Sequence, residues 1–252
     1  MDTSTFCYLT YSWIGLAIIT FPILFFVTAP YGRHTKKTWG IMISNRKGWI
    51  LMELPSLLIF TILFLAGDHD GFSIIWFFFL LWQVHYINRT FIYPMRIHTK
   101  GKKMPMAILI MAISFNIING FLNGYYFGFI HPAYPLSWAW DPRFIAGILI
   151  FFIGMFINLR SDEILIHLRK NSDTDYYIPQ GGLFRYISCP NFFGEIIQWF
   201  GFAIIAWSLP ALSFALWTAV NLIPRAVDHH LWYKKTFDKY PKERKAILPF
   251  VL

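Results

Sequence analysis

Residues 143–166 read RFIAGILIFFIGMFINLRSDEILI. From Phe144 to Ile157 no side chain is polar, and the polar residues Asn158, Arg160, Ser161, Asp162 and Glu163 crowd one end. The stretch is too long for a strand, which usually runs about 3–10 residues. It matches the length a membrane asks for, since a hydrocarbon core of about 30 Å takes about 20 mostly apolar residues as a helix. Working outward, similar stretches recur at 9–29, 49–67, 72–95, 105–129, 192–208 and 211–232. The last two meet at Ser208-Leu209-Pro210, a short turn with proline at the entry to the next helix. The pattern predicts an all-α integral membrane protein of seven transmembrane helices, forming one multispan domain over residues 1–252.

Composition agrees with that reading. The chain is 56% hydrophobic and 14% charged, with 27 Phe and 11 Trp, whereas soluble domains average about 45–50% apolar and about 25% charged. Cys7 and Cys189 stand far apart and outside any metal-ligand spacing, which argues against a zinc site or a disulfide framework. The start, MDTSTFCYLTY, lacks the basic region of a cleavable secretory signal. No internal repeat is present.

A net charge of +9 raises the question of nucleic acid, but its distribution points to lipid. With seven helices and the N-terminus outside, the inner segments are 30–48, 96–104, 160–190 and 224–252, holding 5, 4, 4 and 7 of the 22 Lys and Arg. The two exceptions are Arg89, within a span, and Arg143, at an outer end. The outer side holds Asp2, Asp68, Asp70 and Asp141. This is the positive-inside pattern. It predicts an outside N-terminus, a cytosolic C-terminus and membrane lipids as partners, with neither nucleic acid nor metal.

Ionisable residues inside spans cost about 2.5–3.5 kcal/mol each on insertion scales and by default are candidates for function. They are Glu53, Arg89, Asp162, Glu163 and Glu195, accompanied by Gln83, Tyr86, Asn158, Asn191 and Gln198. Asn116, Asn119 and Asn123, at i, i+3 and i+7, are read as helix–helix glue. Glu53, Asp162, Arg169, Asn191, Glu195, His229 and Tyr233 fall at the inner ends of their spans. Asn158 and Asp162 share a face at i, i+4, as do Asn191, Glu195 and Gln198 at i, i+4, i+7. A polar cavity open to the cytosol beneath an apolar compartment accounts for this placement.

Arg169, Lys170, Arg185 and the basic cluster at 234–245 offer cations to a phosphorylated ligand, although most of KKTFDKYPKERK reads as a solvated or headgroup-facing tail. No Rossmann or P-loop glycine motif is present, so a nucleotide would be held by helix ends and loops. One inner loop, Arg169 to Pro190, is long and carries KNSDTDYYIPQGG; its Pro179-Gln180-Gly181-Gly182 turn implies shape.

These residues resemble the steroid 5α-reductase family. The matching stretches are MELPS at 52–56, HY…RTF at 85–91, NGFLNGYY at 119–126 and GMFINLRSDEIL at 154–165. They continue with IPQGGLFRYIS at 178–188, NFFGEIIQW at 191–199, WSLPAL at 207–212 and HH…Y…F…YPK.RKA at 229–246, so the resemblance covers nearly the whole chain. It implies an NADPH-dependent 3-oxo-5α-steroid 4-dehydrogenase of the membrane, monomeric, in a bacterial inner membrane or the endoplasmic reticulum. It also implies that Glu53 and Tyr86 act on the 3-oxo group of a testosterone- or progesterone-like substrate. The cofactor residues it implies are Tyr31, Asn158, Asp162, Arg169, Tyr176, Asn191, Glu195, Trp199, His229 and Tyr233. Helices 1–4 would then form mainly the steroid pocket, and helices 5–7 with loop 169–190 mainly the cofactor site. The chain departs from vertebrate members at Met111 and Tyr177, where those carry Arg, and around Lys100-Gly101-Lys102. The competing readings are a polyprenol or enoyl-CoA reductase, a lipid methyltransferase and a non-enzymatic seven-helix transporter.

Overall fold

The computed structural model describes residues 1–69, 73–99, 101–131, 134–170 and 176–252, with the side chains of Lys37, Arg169 and Lys170 left out of that description. Asp70, Lys100 and the centre of the 169–190 loop therefore lie outside the described residues. Each of the seven expected spans falls on helix: α1 (Thr3–Phe26), α2 (Asn45–Leu65), α3 (Ile75–Ile87) running into α4 (Tyr93–Arg96), α5 (Met106–Tyr125), α6 (Pro142–Lys170), α7 (Pro190–Ala206) and α8 (Leu209–Thr236). Four of them, Thr3–Phe26, Asn45–Leu65, Met106–Ile130 and Pro142–Leu168, are long and apolar enough to cross a membrane. Large apolar side chains lie open on them, Ile18 66%, Ile19 63%, Leu149 59% and Phe156 69% exposed among others. Lipid accounts for such surface where water would not. The protein is a mostly helical membrane protein.

Helix ends differ from the sequence boundaries for identifiable reasons. α1 begins at Thr3 rather than near residue 9 because Asp2 caps it, accepting from the Thr5 backbone N–H and hydroxyl, both at 2.8 Å. The 192–232 stretch is two helices: Trp207 adopts a left-handed conformation (φ 43), and Ser208 Oγ accepts from Ala211 N at 3.4 Å to start α8. Between α3 and α4 the chain takes a π-helical turn at Asn88–Ile92, and α5 ends in another at Tyr126–Ile130.

Contacts divide the chain into two compact units, Met1–Thr10 with Ala29–Phe144, and Tyr11–Thr28 with Ile145–Leu252. In the first unit a short antiparallel ribbon joins β1 (Met42–Ser44) to β2 (Lys103–Pro105), pairing Met42 with Pro105 and Ser44 with Lys103. Each strand runs straight into a helix, so the ribbon starts α2 and α5 side by side. Gly120 and Gly124 keep them close: a Cβ on Gly124 would lie 2.8 Å from Phe60 Cα, and one on Gly120 would lie 3.2 Å from Ser56 Cα. Small residues four apart are the usual device for tight helix contact in lipid.

In the second unit α6 and α7 approach as closely. A Cβ on Gly194 would fall 2.5 Å from the Asn158 backbone nitrogen. The chain after α8 turns back, and Lys245 bridges Ile187 in parallel, with Ser188 N donating to Lys245 O at 2.8 Å and Lys245 N to Tyr186 O at 2.9 Å. Most of the 234–245 cluster is exposed, as read from the sequence, but Tyr240 and Arg244 are buried.

Candidate functional site

In the first unit polar side chains line the seam between α2, α3 and α5. Asn116 Nδ2 donates to the Met52 carbonyl at 2.6 Å, and its Oδ1 accepts from Ser56 Oγ at 2.7 Å. Asn116 therefore ties α5 to α2, the glue role its spacing suggested. Glu53, half-buried, follows Met52 on the same turn. Trp82 Nε1 donates to the Ser56 carbonyl at 3.2 Å, fixing α3 against α2. One turn on, Tyr86 is 2% exposed, with its ring 4.9 Å from that of Trp82 and 5.1 Å from that of His85.

Asn119, grouped with the glue residues in the sequence, has a different partner: its Nδ2 donates to the Tyr86 hydroxyl oxygen at 3.2 Å. Helical spacing placed Asn119 on the right face but carried no sign of which neighbouring helix would supply the partner. Arg89 lies against the rings of Trp49 and Tyr93, 5.0 and 5.1 Å from their centroids, a cation–π setting that suits a cation inside an apolar layer.

In the second unit four of the residues expected at the cofactor site form one network. Asn158 Nδ2 donates to the Asn191 carbonyl at 2.9 Å and to Glu195 Oε2 at 3.4 Å. Asn191 Nδ2 in turn donates to Asp162 Oδ1 at 3.2 Å. The i, i+4 spacing on both helices makes this possible, and the glycine contact between α6 and α7 brings the two faces within reach. Asn158 is 3% and Asp162 5% exposed. Two carboxylates and two amides suit hydroxyls and a carboxamide, as on the ribose and nicotinamide of a dinucleotide.

The remaining expected residues are placed as follows. His229 packs on Phe192, the neighbour of Asn191, at 5.4 Å between centroids. Tyr176 meets Trp232 edge-on at 5.0 Å, and Tyr233, 2% exposed, stacks on Tyr240 at 5.3 Å. Trp199 sits in the aromatic core, 4.2 Å from Phe214 and 5.6 Å from Phe202 between centroids. Arg169 stands one residue before the end of α6, its side chain outside the description. Tyr31 belongs to the first unit, extended ahead of the single turn Gly32–His34.

Sequence reasoning passed over a cluster beside this set. Ser188 Oγ lies 2.7 Å from His230 Nδ1 and 2.6 Å from Tyr240 Oη, and donates to the Lys245 carbonyl at 3.1 Å. Burial pushes the Tyr240 hydroxyl pKa up from its ordinary value. Arg244, 2% exposed, lies over the Tyr240 ring and donates to Gln180 Oε1 at 3.2 Å. That bond holds the Pro179–Gly182 turn, where Gly181 (φ +88) and Gly182 (φ +50) take backbone angles that favour glycine. The signal lay in the paired histidines and the YPK.RKA run, but only the returning chain brings them to residue 188. A cavity of about 650 Å³ opens on the face of α6 opposite Asp162, lined by Arg160, Glu163 and His167 among others. Of the ionisable residues singled out in the sequence Glu163 lines it, and among the described side chains none of the expected steroid or cofactor residues does.

Comparison with known proteins matches the sequence to a family. The sequence model described as "3-oxo-5-alpha-steroid 4-dehydrogenase" matches residues 102–252. The "Steroid 5-alpha-reductase DET2" of Gossypium hirsutum is 40% identical over 254 residues, covering 99% of this chain and 98% of that protein. The "3-oxo-5-alpha-steroid 4-dehydrogenase 1" of Bos taurus is 37% identical over 97% of this chain and 96% of its own length. The "3-oxo-5-alpha-steroid 4-dehydrogenase 2" of Sus scrofa is 42% identical over 88% and 87%. Identity at this level along almost the full length leaves one assignment: the chain belongs to the 3-oxo-5-alpha-steroid 4-dehydrogenase family of oxidoreductases.

Proposed function

We propose that the protein uses NADPH to reduce the C4–C5 double bond of 3-oxo-Δ4 steroids, giving 5α-steroids. The observation that carries this reading is the Tyr86 hydroxyl, buried among aromatic rings and accepting a hydrogen bond from Asn119. When C5 of a conjugated enone gains a hydride, negative charge collects on the C3 oxygen as an enolate. A donor already aimed at that oxygen is worth ~2.7–4 kcal/mol by analogy with oxyanion holes. Tyr86 supplies this donor, and Glu53 holds or polarises its hydroxyl. The proton that completes C4 comes from Tyr86 or from water.

The reduced nicotinamide, when bound, supplies the hydride. The protein's part is to hold the dinucleotide. Asp162 and Glu195 accept hydrogen bonds from hydroxyls, Asn158 and Asn191 keep those carboxylates in place, and Arg169 offers positive charge to phosphate. Tyr31, Tyr176, Trp199, His229 and Tyr233 complete the site. Seven helices cross the membrane as a single multispan domain, acting as a monomer, with the N-terminus outside and the active site open to the cytosol.

The test is turnover by the purified protein with NADPH and testosterone or progesterone. The expected product is the 5α-steroid, with one NADPH oxidised per steroid reduced. Reduction of a polyprenol or enoyl-CoA substrate with the steroid left untouched would overturn the reading. Tyr86→Phe and Glu53→Gln are each expected to lose most turnover while still binding NADPH.

A further inference from the structure

The arrangement of Asn123, Asn119 and Tyr86 fixes which way each hydrogen bond points. The Asn119 backbone carbonyl, which can only accept, lies 3.1 Å from Asn123 Nδ2. That contact sets the Asn123 amide as a donor on this side. The same Nδ2 lies 3.2 Å from Asn119 Oδ1, so that oxygen is the acceptor. The Asn119 amide then has one orientation left, with its Nδ2 turned to the Tyr86 oxygen at 3.2 Å. Both asparagines are fully buried, Asn119 1% and Asn123 0% exposed, so water does not compete for these positions. A phenol hydroxyl has one proton and two lone pairs. With a lone pair occupied by Asn119, its proton is directed elsewhere.

We propose that Asn119 is a positioning residue: by donating to the Tyr86 oxygen, it commits the Tyr86 hydroxyl to donate to the substrate carbonyl and steadies that oxygen as negative charge builds there. This rests on the role given to Tyr86 above. The Asn119 amide touches neither substrate nor cofactor in this scheme and acts only through Tyr86. Asn123 sets the amide's orientation in turn.

The test compares Asn119→Asp, Asn119→Leu and Tyr86→Phe in the full-length enzyme, with kcat, steroid KM and NADPH binding measured across pH. Asn119→Asp keeps the shape and the acceptor for Asn123, but its ionised carboxylate accepts the Tyr86 proton and turns the donor away from the substrate. Its protonated form can still donate to Tyr86. The expected signature is a limb in the kcat profile that the wild type lacks, with activity at low pH that is lost as the new carboxyl ionises. NADPH binding, followed by cofactor fluorescence without steroid, stays unchanged. Among the described residues the His85 ring lies 5.1 Å from that of Tyr86 and Arg89 follows three residues on, and Glu53 is given a role at Tyr86 above, so the limb is read as the difference between the two profiles.

Asn119→Leu, which removes the donor at all pH values, is expected to lower kcat about tenfold or more, the scale of one buried hydrogen bond, with steroid KM little changed. An Asn119→Asp profile superimposable on the wild type, in an enzyme that Tyr86→Phe inactivates, overturns the role of Asn119 alone. Full activity in Tyr86→Phe overturns the reading beneath it as well.

Discussion

Single side chains carry the first group of expectations. Asp162 is nearly inaccessible and receives the Asn191 amide, while Asn158 reaches both Asn191 and Glu195. If these residues hold the uncharged parts of the dinucleotide, removing one charged partner costs about 1.5–3 kcal/mol, or roughly 10–150-fold in affinity. Asp162→Asn is therefore expected to weaken NADPH binding by about that factor while steroid KM holds, as measured by cofactor titration and by saturation kinetics in each substrate. Equal losses for both substrates would point to a misfolded protein instead. Much of this set was legible in advance. The i, i+4 spacing of Asn158 with Asp162 and of Asn191 with Glu195 already put each pair on one face, and the inner-end placement put the faces at one level. The direction of the Asn119 bond was not legible, because it depends on a tyrosine 33 residues away that local periodicity does not connect to it. Ser188 with His230 and Tyr240 escaped notice for the same reason.

Helices and their junctions carry a second group of expectations. α6 and α7 meet through glycines whose replacement leaves no space, the Gly194 Cβ falling 2.5 Å from the Asn158 nitrogen and 2.6 Å from the Gly154 carbonyl oxygen. Gly194→Ala forces the two helices apart, and overpacking of this kind costs about 1–3 kcal/mol. A lowered melting temperature in detergent is expected together with weakened NADPH binding, because Asn158 rides on the same contact; unchanged values of both would refute the packing argument. At the start of α6, Asp141 accepts from the Arg143 backbone N–H at 2.8 Å and from its guanidinium Nε and Nη2, at 2.9 and 2.8 Å. The Arg143 side chain first, then its backbone N–H, hold the Asp141 carboxyl down to about 2 from its ordinary 3.8. A depressed carboxyl pKa stabilises the fold above the unfolded value and loses that contribution as pH falls from about 3.8 to about 2. Asp141→Asn keeps the cap and removes the charge, so its thermal stability is expected to lose that acid limb in a melting series against pH. Helix existence was readable from apolar length alone. The π-helical turns at Asn88–Ile92 and Tyr126–Ile130 were not, since hydropathy is blind to one residue more or less per turn.

Across the whole chain, the proposed orientation in the membrane rests on charge. The two cations that break the positive-inside pattern are both accounted for locally. Arg143 is paired with Asp141 and lies 4.4 Å from the Trp138 ring centroid, so the proposed outer end carries little net positive charge there. Arg89 rests on Trp49 and Tyr93. Neither pulls against the asymmetry set by the other 20 Lys and Arg, and that asymmetry orients a multispan protein during insertion. Hydropathy over a window identifies four helices by itself. The others fall short for identifiable reasons: α3 and the turn after it carry Gln83, His85, Asn88 and Arg89, α7 is 17 residues long, and α8 carries Arg225, Asp228, His229 and His230 within its second half. Polar residues at one end of a helix do not prevent it from crossing when that end faces water or a buried site. Single cysteines at Asp68, Trp140 and Lys239, introduced into a variant lacking Cys7 and Cys189, would decide the matter in right-side-out vesicles. A membrane-impermeant thiol reagent is expected to label the cysteines at 68 and 140 from outside, and that at 239 only after permeabilisation. A protein with only the four hydropathy spans places both of its termini on the same side, because an even number of crossings returns the chain to where it began. In that case a cysteine placed at Asp2 and the one at 239 react together. Seven crossings require them to react from opposite sides, whichever way the protein is inserted.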